Sequence, residues 1–265
     1  MRPARRARFF VDTHRLPFLM KVRWFSDLLA HRAARQHLWS LYYAGEAYEE
    51  LHPQGVYVER LEGSLGGLLA RHLADETRHA ALFRRVMSAE GTVPEPLVPE
   101  EDVGWYLLTH VVPDVVERAD REGPFSAAEA ARYMAFLHVL ELRSLSDLVA
   151  LIRATEERGE NDLAASLRTI LRDERFHATY TFRAVQRLAG ERAREVLDVI
   201  RRAERRHYAF VLRRILAGFE RLGAVPAGGL GRVRWTLMKW AARLGWATPL
   251  LPLYEELPPA LMPAA

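Results

Sequence analysis

Cysteine is absent from the 265 residues. Thiolate metal sites, iron–sulfur clusters and disulfides are therefore excluded, and redox work inside the chain falls to histidine and carboxylates. A cysteine-ligated electron-transfer module within the chain is excluded too, so electrons for any redox cycle must come from an external donor. Lysine is nearly missing: only Lys21 and Lys239 accompany a large excess of arginine in a chain of net charge +4. Acidic residues are interspersed almost everywhere, so this bias reads as a GC-rich coding sequence, and no nucleic-acid partner is expected. Long apolar runs are lacking as well. Nothing approaches the roughly 18 residues of a membrane-spanning helix. The basic start, Met1 to Phe10, meets Asp12, His14 and Arg15 before any apolar core of signal-peptide length, which makes the cytoplasm the expected location.

What is present is a repeated motif. Asp75-Glu76-Thr77-Arg78-His79-Ala80 and Asp173-Glu174-Arg175-Phe176-His177-Ala178 share Asp-Glu-x-x-His-Ala and lie 98 residues apart. Glu and His three residues apart on a helix stand about one turn from each other on one face, so both can reach a single point. Presented twice, a carboxylate and an imidazole could build two similar metal sites facing each other across a bundle. Each half needs a further carboxylate from a neighbouring helix. Glu46 lies 30 residues before Glu76, and Glu141 lies 33 before Glu174. About thirty residues is half a helix, a turn and half a helix back.

In order, separation and residue type, Glu46, Glu76, His79, Glu141, Glu174 and His177 resemble the ligand set of the ferritin-like carboxylate-bridged di-iron family. The resemblance covers roughly residues 26–190. It implies an all-α fold, a ferritin-like four-helix bundle with a long crossover between its second and third helices. It also implies two iron ions per chain and an O2-dependent oxidase or oxygenase, of the hydroxylase or N-oxygenase type, acting on a small organic substrate. Manganese or a mixed Mn/Fe pair suits the same ligands. A ferroxidase or rubrerythrin-like iron- or peroxide-handling protein is the alternative, and a metal-free helical interaction protein is a third reading.

The rest of the chain fits one enlarged domain. Residues 1–25 read as an arm, and the first bundle helix is expected from a Ser26-Asp27 cap to about Leu51, with Trp39, Tyr42, Glu46 and Glu49 on its inner face. Either Glu46 or Glu49 could be its ligand. Ser64 is expected to cap a second helix reaching about Ala89, with an apolar stripe from Leu65 to Val86 interrupted only by the motif. Five prolines between residues 90 and 125 suggest the crossover. Ser126 and Glu129 form a capping box opening a third helix to about Glu157. A fourth spans about Asp162 to Ala189, and residues 191–265 add further helices. The Trp-rich, basic stretch 230–246 suits a helix packed over the bundle or in a homodimer interface better than one lying on a membrane surface.

Four more polar residues lie near the motif. Asp75 and Asp173 precede the ligand glutamates and could orient a histidine ligand through its other ring nitrogen. His72 stands four residues before Glu76, where it could be an extra ligand or a hydrogen-bonded core histidine; His138, three before Glu141, invites the same question. Tyr42 and Tyr180 fall within a turn of proposed ligands and read as core or hydrogen-bonding tyrosines rather than redox-active ones. Glu141 sits in the apolar run Phe136 to Leu142, where a lone carboxylate would be costly and where Arg143 is the nearest candidate for an ion pair.

Overall fold

The computed structural model describes residues 18–52, 54–226 and 228–243, with the side chains of Tyr48, Glu49 and Ala241 outside the description. All regular structure among them is helical. Helix α1 covers 18–30 and α2 Arg32–Glu46; α3 (Tyr48–Leu51) and α4 (Gly55–Arg60) are short. Then come α5 (Ser64–Ala89), α6 (Val103–Val111), α7 (Pro113–Ala119), α8 (Ala127–Glu157), α9 (Asn161–Ala189), α10 (Ala193–Arg221) and α11 (Gly229–Arg243).

Helix α2 packs on α5 and α8 on α9, and the two pairs meet through α5 and α9. Long helices form here because apolar residues recur at helical spacing and the ends are capped. The Ser126 hydroxyl accepts from Glu129 N at 3.3 Å, while Ser126 N donates to Glu129 Oε2 at 2.7 Å. This reciprocal pair opens α8 as the capping box requires. Between α5 and α8, residues 92–98 are irregular and α6 and α7 fill the remainder of the crossover. Helix α6 packs against α10 and α2, so the crossover and the C-terminal helices cover the same side of the bundle.

Three boundaries differ from the sequence reading. Ser26 and Asp27 do not begin a helix; they lie inside α1, whose buried Phe18, Val22, Phe25 and Leu29 form a helical stripe against the core. The break comes at His31, whose Nδ1 accepts from Ala34 N to start α2. Helix α2 then stops at Glu46 rather than near Leu51. Ser64 is the first residue of α5 and not its cap: Gly63 holds that place at φ 59°, a left-handed conformation open to glycine. One turn on, a Cβ at Gly66 would stand 2.8 Å from Leu61 O and 3.0 Å from Val58 O, so α4 can approach only because the side chain is missing. Residues 1–17 of the expected arm and Trp246 lie outside the described residues.

Helix α11 docks on α10 through buried Trp235 and Met238. Trp235 Nε1 and Lys239 Nζ both donate to Glu220 Oε1, at 2.9 and 2.7 Å. No helix among the described residues is long and apolar enough to cross a membrane.

Candidate metal centre

The motif helices α5 and α9 bring their inner faces together at mid-length, where Glu76, His79, Glu174 and His177 are all buried. Glu46 enters from the last turn of α2 and Glu141 from the middle of α8, both buried as well. The six proposed ligands are thus brought to one place, and His72 joins them. Two groups of ligand atoms result: His72, Glu76, Glu141 and His177 form one, and Glu46, Glu76, His79 and Glu174 the other. Within each group the atoms lie within 4.8 Å of one another, close enough to hold a metal ion, and Glu76 belongs to both. The Glu49 side chain lies outside the described residues.

Each motif histidine turns Nδ1 inward. His79 Nδ1 stands 3.2 Å from Glu46 Oε2 and 3.3 Å from Glu174 Oε1. His177 Nδ1 stands 3.2 Å from Glu174 Oε2 and 3.3 Å from Glu76 Oε1. Glu174 therefore offers one oxygen toward each histidine. Each Nε2–H points outward to an aspartate of the opposite helix: His79 donates to Asp173 Oδ2 at 3.3 Å and His177 to Asp75 Oδ2 at 3.2 Å. An acceptor on Nε2 fixes the ring and makes Nδ1 the better donor to a cation. Arg78 lies over both aspartates, 2.5 Å from Asp75 Oδ1 and 3.5 Å from Asp173 Oδ2.

His72 is turned the other way. Its Nε2 is 3.1 Å from both Glu76 Oε1 and Glu141 Oε1, its Nδ1 is hydrogen-bonded to the Tyr180 hydroxyl at 2.8 Å, and its ring stacks on His177 at 3.7 Å. Burial, and then the nearby His177, push its pKa down to about 3, so the ring is neutral and has a lone pair to give. His138 takes no part. Its Nδ1–H donates to Ala178 O at 3.0 Å in a groove beside Phe182, outside both groups. Spacing alone does not produce the contrast, since His79 and His177 also stand three residues from a glutamate and face inward; the rotation of α8 in the bundle turns His138 toward Ala178.

The electrostatics are those of a carboxylate cluster short of positive charge. Burial, followed by repulsion from neighbouring carboxylates, raises Glu76 and Glu141 well above the usual carboxylate range. Glu174 is held well below that range in spite of burial, by hydrogen bonds from Glu141, His177 and His79. Burial also works against the two inward histidines, yet hydrogen bonding to Glu174 and other carboxylate contacts push His79 up to about 11 and His177 to about 9. Arg143 does not neutralise Glu141. It turns away to form a buried pair with Glu204 of α10, with Arg143 Nε 3.0 Å from Glu204 Oε1. Glu76 Oε1 and Glu174 Oε1 are buried and receive no aligned hydrogen bond among the described residues, a deficit that a cation would relieve. The residues therefore fit a metal pair.

The carboxylate side of the cluster faces a cavity of ≈ 140 Å³. Glu46, Glu76, Glu141 and Glu174 line its inner end, and none of the histidines does. Its outer wall comes from α1, α6 and α10, the segments outside the bundle. Sequence reasoning missed this wall and the buried Lys21 that pairs with Asp147 there. The i, i+4, i+7, i+11 pattern of Phe18, Val22, Phe25 and Leu29 is the signal that could have placed α1.

Fold and cluster together define an all-helical protein with a buried carboxylate–imidazole site able to hold metal. No family model matches the sequence, and neither a curated protein nor a solved structure does.

Proposed function

We propose that the chain is a ferritin-like, carboxylate-bridged di-iron oxidoreductase that uses O2 to oxidise a small organic substrate, taking its electrons from an external donor. One observation carries this reading: two buried ligand groups share Glu76 and present their carboxylates to a largely apolar cavity. Four glutamates balance the charge of two divalent cations, and His79 and His177, oriented by Asp173 and Asp75, would complete the set. When bound, redox-active iron supplies the electrons and coordination positions that O2 reduction requires. The protein's own part is to hold the site rigid, keep bulk water away and place a substrate against the glutamate face. The two positions differ, since one has two imidazoles and the other one. Manganese at the more carboxylate-rich position is thus compatible with the donor set.

The test is the metal content of purified wild type beside a Glu174→Ala/His177→Ala variant, followed by optical spectra as the ferrous protein meets O2. About two irons per chain, lost in the variant, with a transient absorption on oxygenation, is the expected result. Many irons per chain would move the function to iron storage. No bound metal after reconstitution with ferrous iron would leave only a helical fold.

A further inference from the structure

The cavity beside the cluster has a composition of its own. Trp24 and Phe25 of α1, Tyr42 of α2, and Tyr208 and Phe219 of α10 give it aromatic walls, and Leu38, Leu212 and Ile215 fill the gaps. A wholly apolar cavity of about 150 Å³ takes up benzene; this one, at ≈ 140 Å³, is of the same order, with charged groups on part of its wall as well. It is sized for one ring.

The positive charges on its wall are already matched. Lys21 is paired with Asp147, and Arg143 with Glu204. An anionic ligand would face the four glutamates without meeting an uncompensated positive charge, and a cationic one would compete with the metal ions for them, so a neutral ligand fits best. Apart from carboxylate oxygens, two buried polar atoms on its wall are left over among the described residues, the Trp24 indole N–H and the Tyr42 hydroxyl. Among the described residues nothing hydrogen-bonds the Tyr42 hydroxyl, although its oxygen is buried. Asp147 and Glu46 are the groups whose charges act on this hydroxyl, and both line the cavity. Its ring is held in place, stacked on Phe83 at 5.3 Å and tilted against Trp39 at 6.4 Å. A fixed, buried hydroxyl without a partner, one turn from Glu46, is an anchor waiting for a ligand.

Building on the reading of the site as a di-metal centre, we infer that the cavity binds a neutral, single-ring aromatic molecule carrying one hydrogen-bonding substituent, which the Tyr42 hydroxyl engages so that the ring lies against the glutamate face. Tyr42 is a positioning residue here; it takes no part in electron transfer.

Binding of phenol, benzene and benzoate to metal-free protein, measured by titration calorimetry and thermal shift, tests this separately from any oxygen chemistry. Phenol should bind and raise the melting temperature, benzene should bind more weakly, and benzoate should not bind. Tyr42→Phe should weaken phenol about tenfold, the worth of one buried hydrogen bond, and leave benzene unchanged. Leu41→Trp, which fills the cavity from α2, should remove both, its own melting curve serving as the check on folding. Equal phenol affinity in wild type and Tyr42→Phe would overturn the inference, as would benzoate binding more tightly than phenol, or no binding of either neutral ring. Because these outcomes are read without metal, loss of the iron-dependent spectra alone would strike the di-iron reading and leave the pocket standing.

Discussion

Among single residues, Asp75 and His72 give the sharpest tests of the centre. Asp75 holds His177 from behind, and Asp75→Asn removes the charged acceptor while keeping the shape. Metal affinity should then fall about 10- to 100-fold, with a lowered melting temperature for the metal-free protein too, whose His177 and Arg78 lose the same charged partner. His72 belongs to only one of the two ligand groups. Titration of a His72→Ala variant with Co(II), followed by its visible absorption, should therefore lose or weaken one class of bound ion and keep the other; equal loss of both would place His72 outside the ligand set. The pairs Glu76/His79 and Glu174/His177 were legible because helix periodicity is local: i and i+3 share a face in any helix; Glu46 and Glu141 were placed by the spacing of half a helix, a turn and half a helix back, and by the family resemblance. His72 and His138 were not separable that way. Both stand about a turn from a ligand, and the small phase difference that sends one inward and the other toward Ala178 depends on how α5 and α8 are rotated in the bundle.

At the scale of helices, the Arg143–Glu204 pair joins α8 to α10 through a contact with almost no exposure on either side chain. The arginine also lies over the Tyr208 ring at 4.3 Å. Removing one partner of a buried pair strands the other charge at a cost of about 3–5 kcal/mol. Glu204→Gln should show a loss of that order in urea unfolding, together with loosened binding in the cavity that α10 helps to wall. The sequence could not reveal this partner, because Glu204 is 61 residues away: Leu197, Ile200, Tyr208 and Ile215 mark the buried face of α10, but no local pattern says what that face meets. Long helices with apolar stripes, α8 with its capping box and α9 above all, could be read from the sequence. α1 was half hidden. Ser26 and Asp27 have the chemistry of a cap, and tertiary burial of Phe25 and Leu28 overrides it.

Considered as a whole, the molecule keeps a surplus of acid groups at its centre, where protons now stand in for cations. Glu76 and Glu141 have raised pKa values, and His79 and His177 are pushed up to about 11 and 9, so the two histidines hold protons at neutral pH and the two glutamates hold theirs more tightly than free carboxylates do. A metal ion must displace them. Adding ferrous or cobaltous ion near pH 7 should release protons, measurable as a dependence of the calorimetric heat on buffer ionisation enthalpy. Affinity should weaken as the pH falls, and bound metal should raise the melting temperature by mass action. No net proton release would mean that the cluster does not take up the ion.

The crossed aspartates have one more consequence. Asp75 serves the histidine of α9 and Asp173 the histidine of α5, so neither Asp-Glu-x-x-His motif is complete within its own helix. If α5 slid by one turn against α9, both histidines would lose their supports together, as two keys cut for each other's locks fail as a pair. A hairpin carrying one copy of the motif would therefore make a poor half-site when excised, and a change of sequence in one copy is felt first in the geometry of the other.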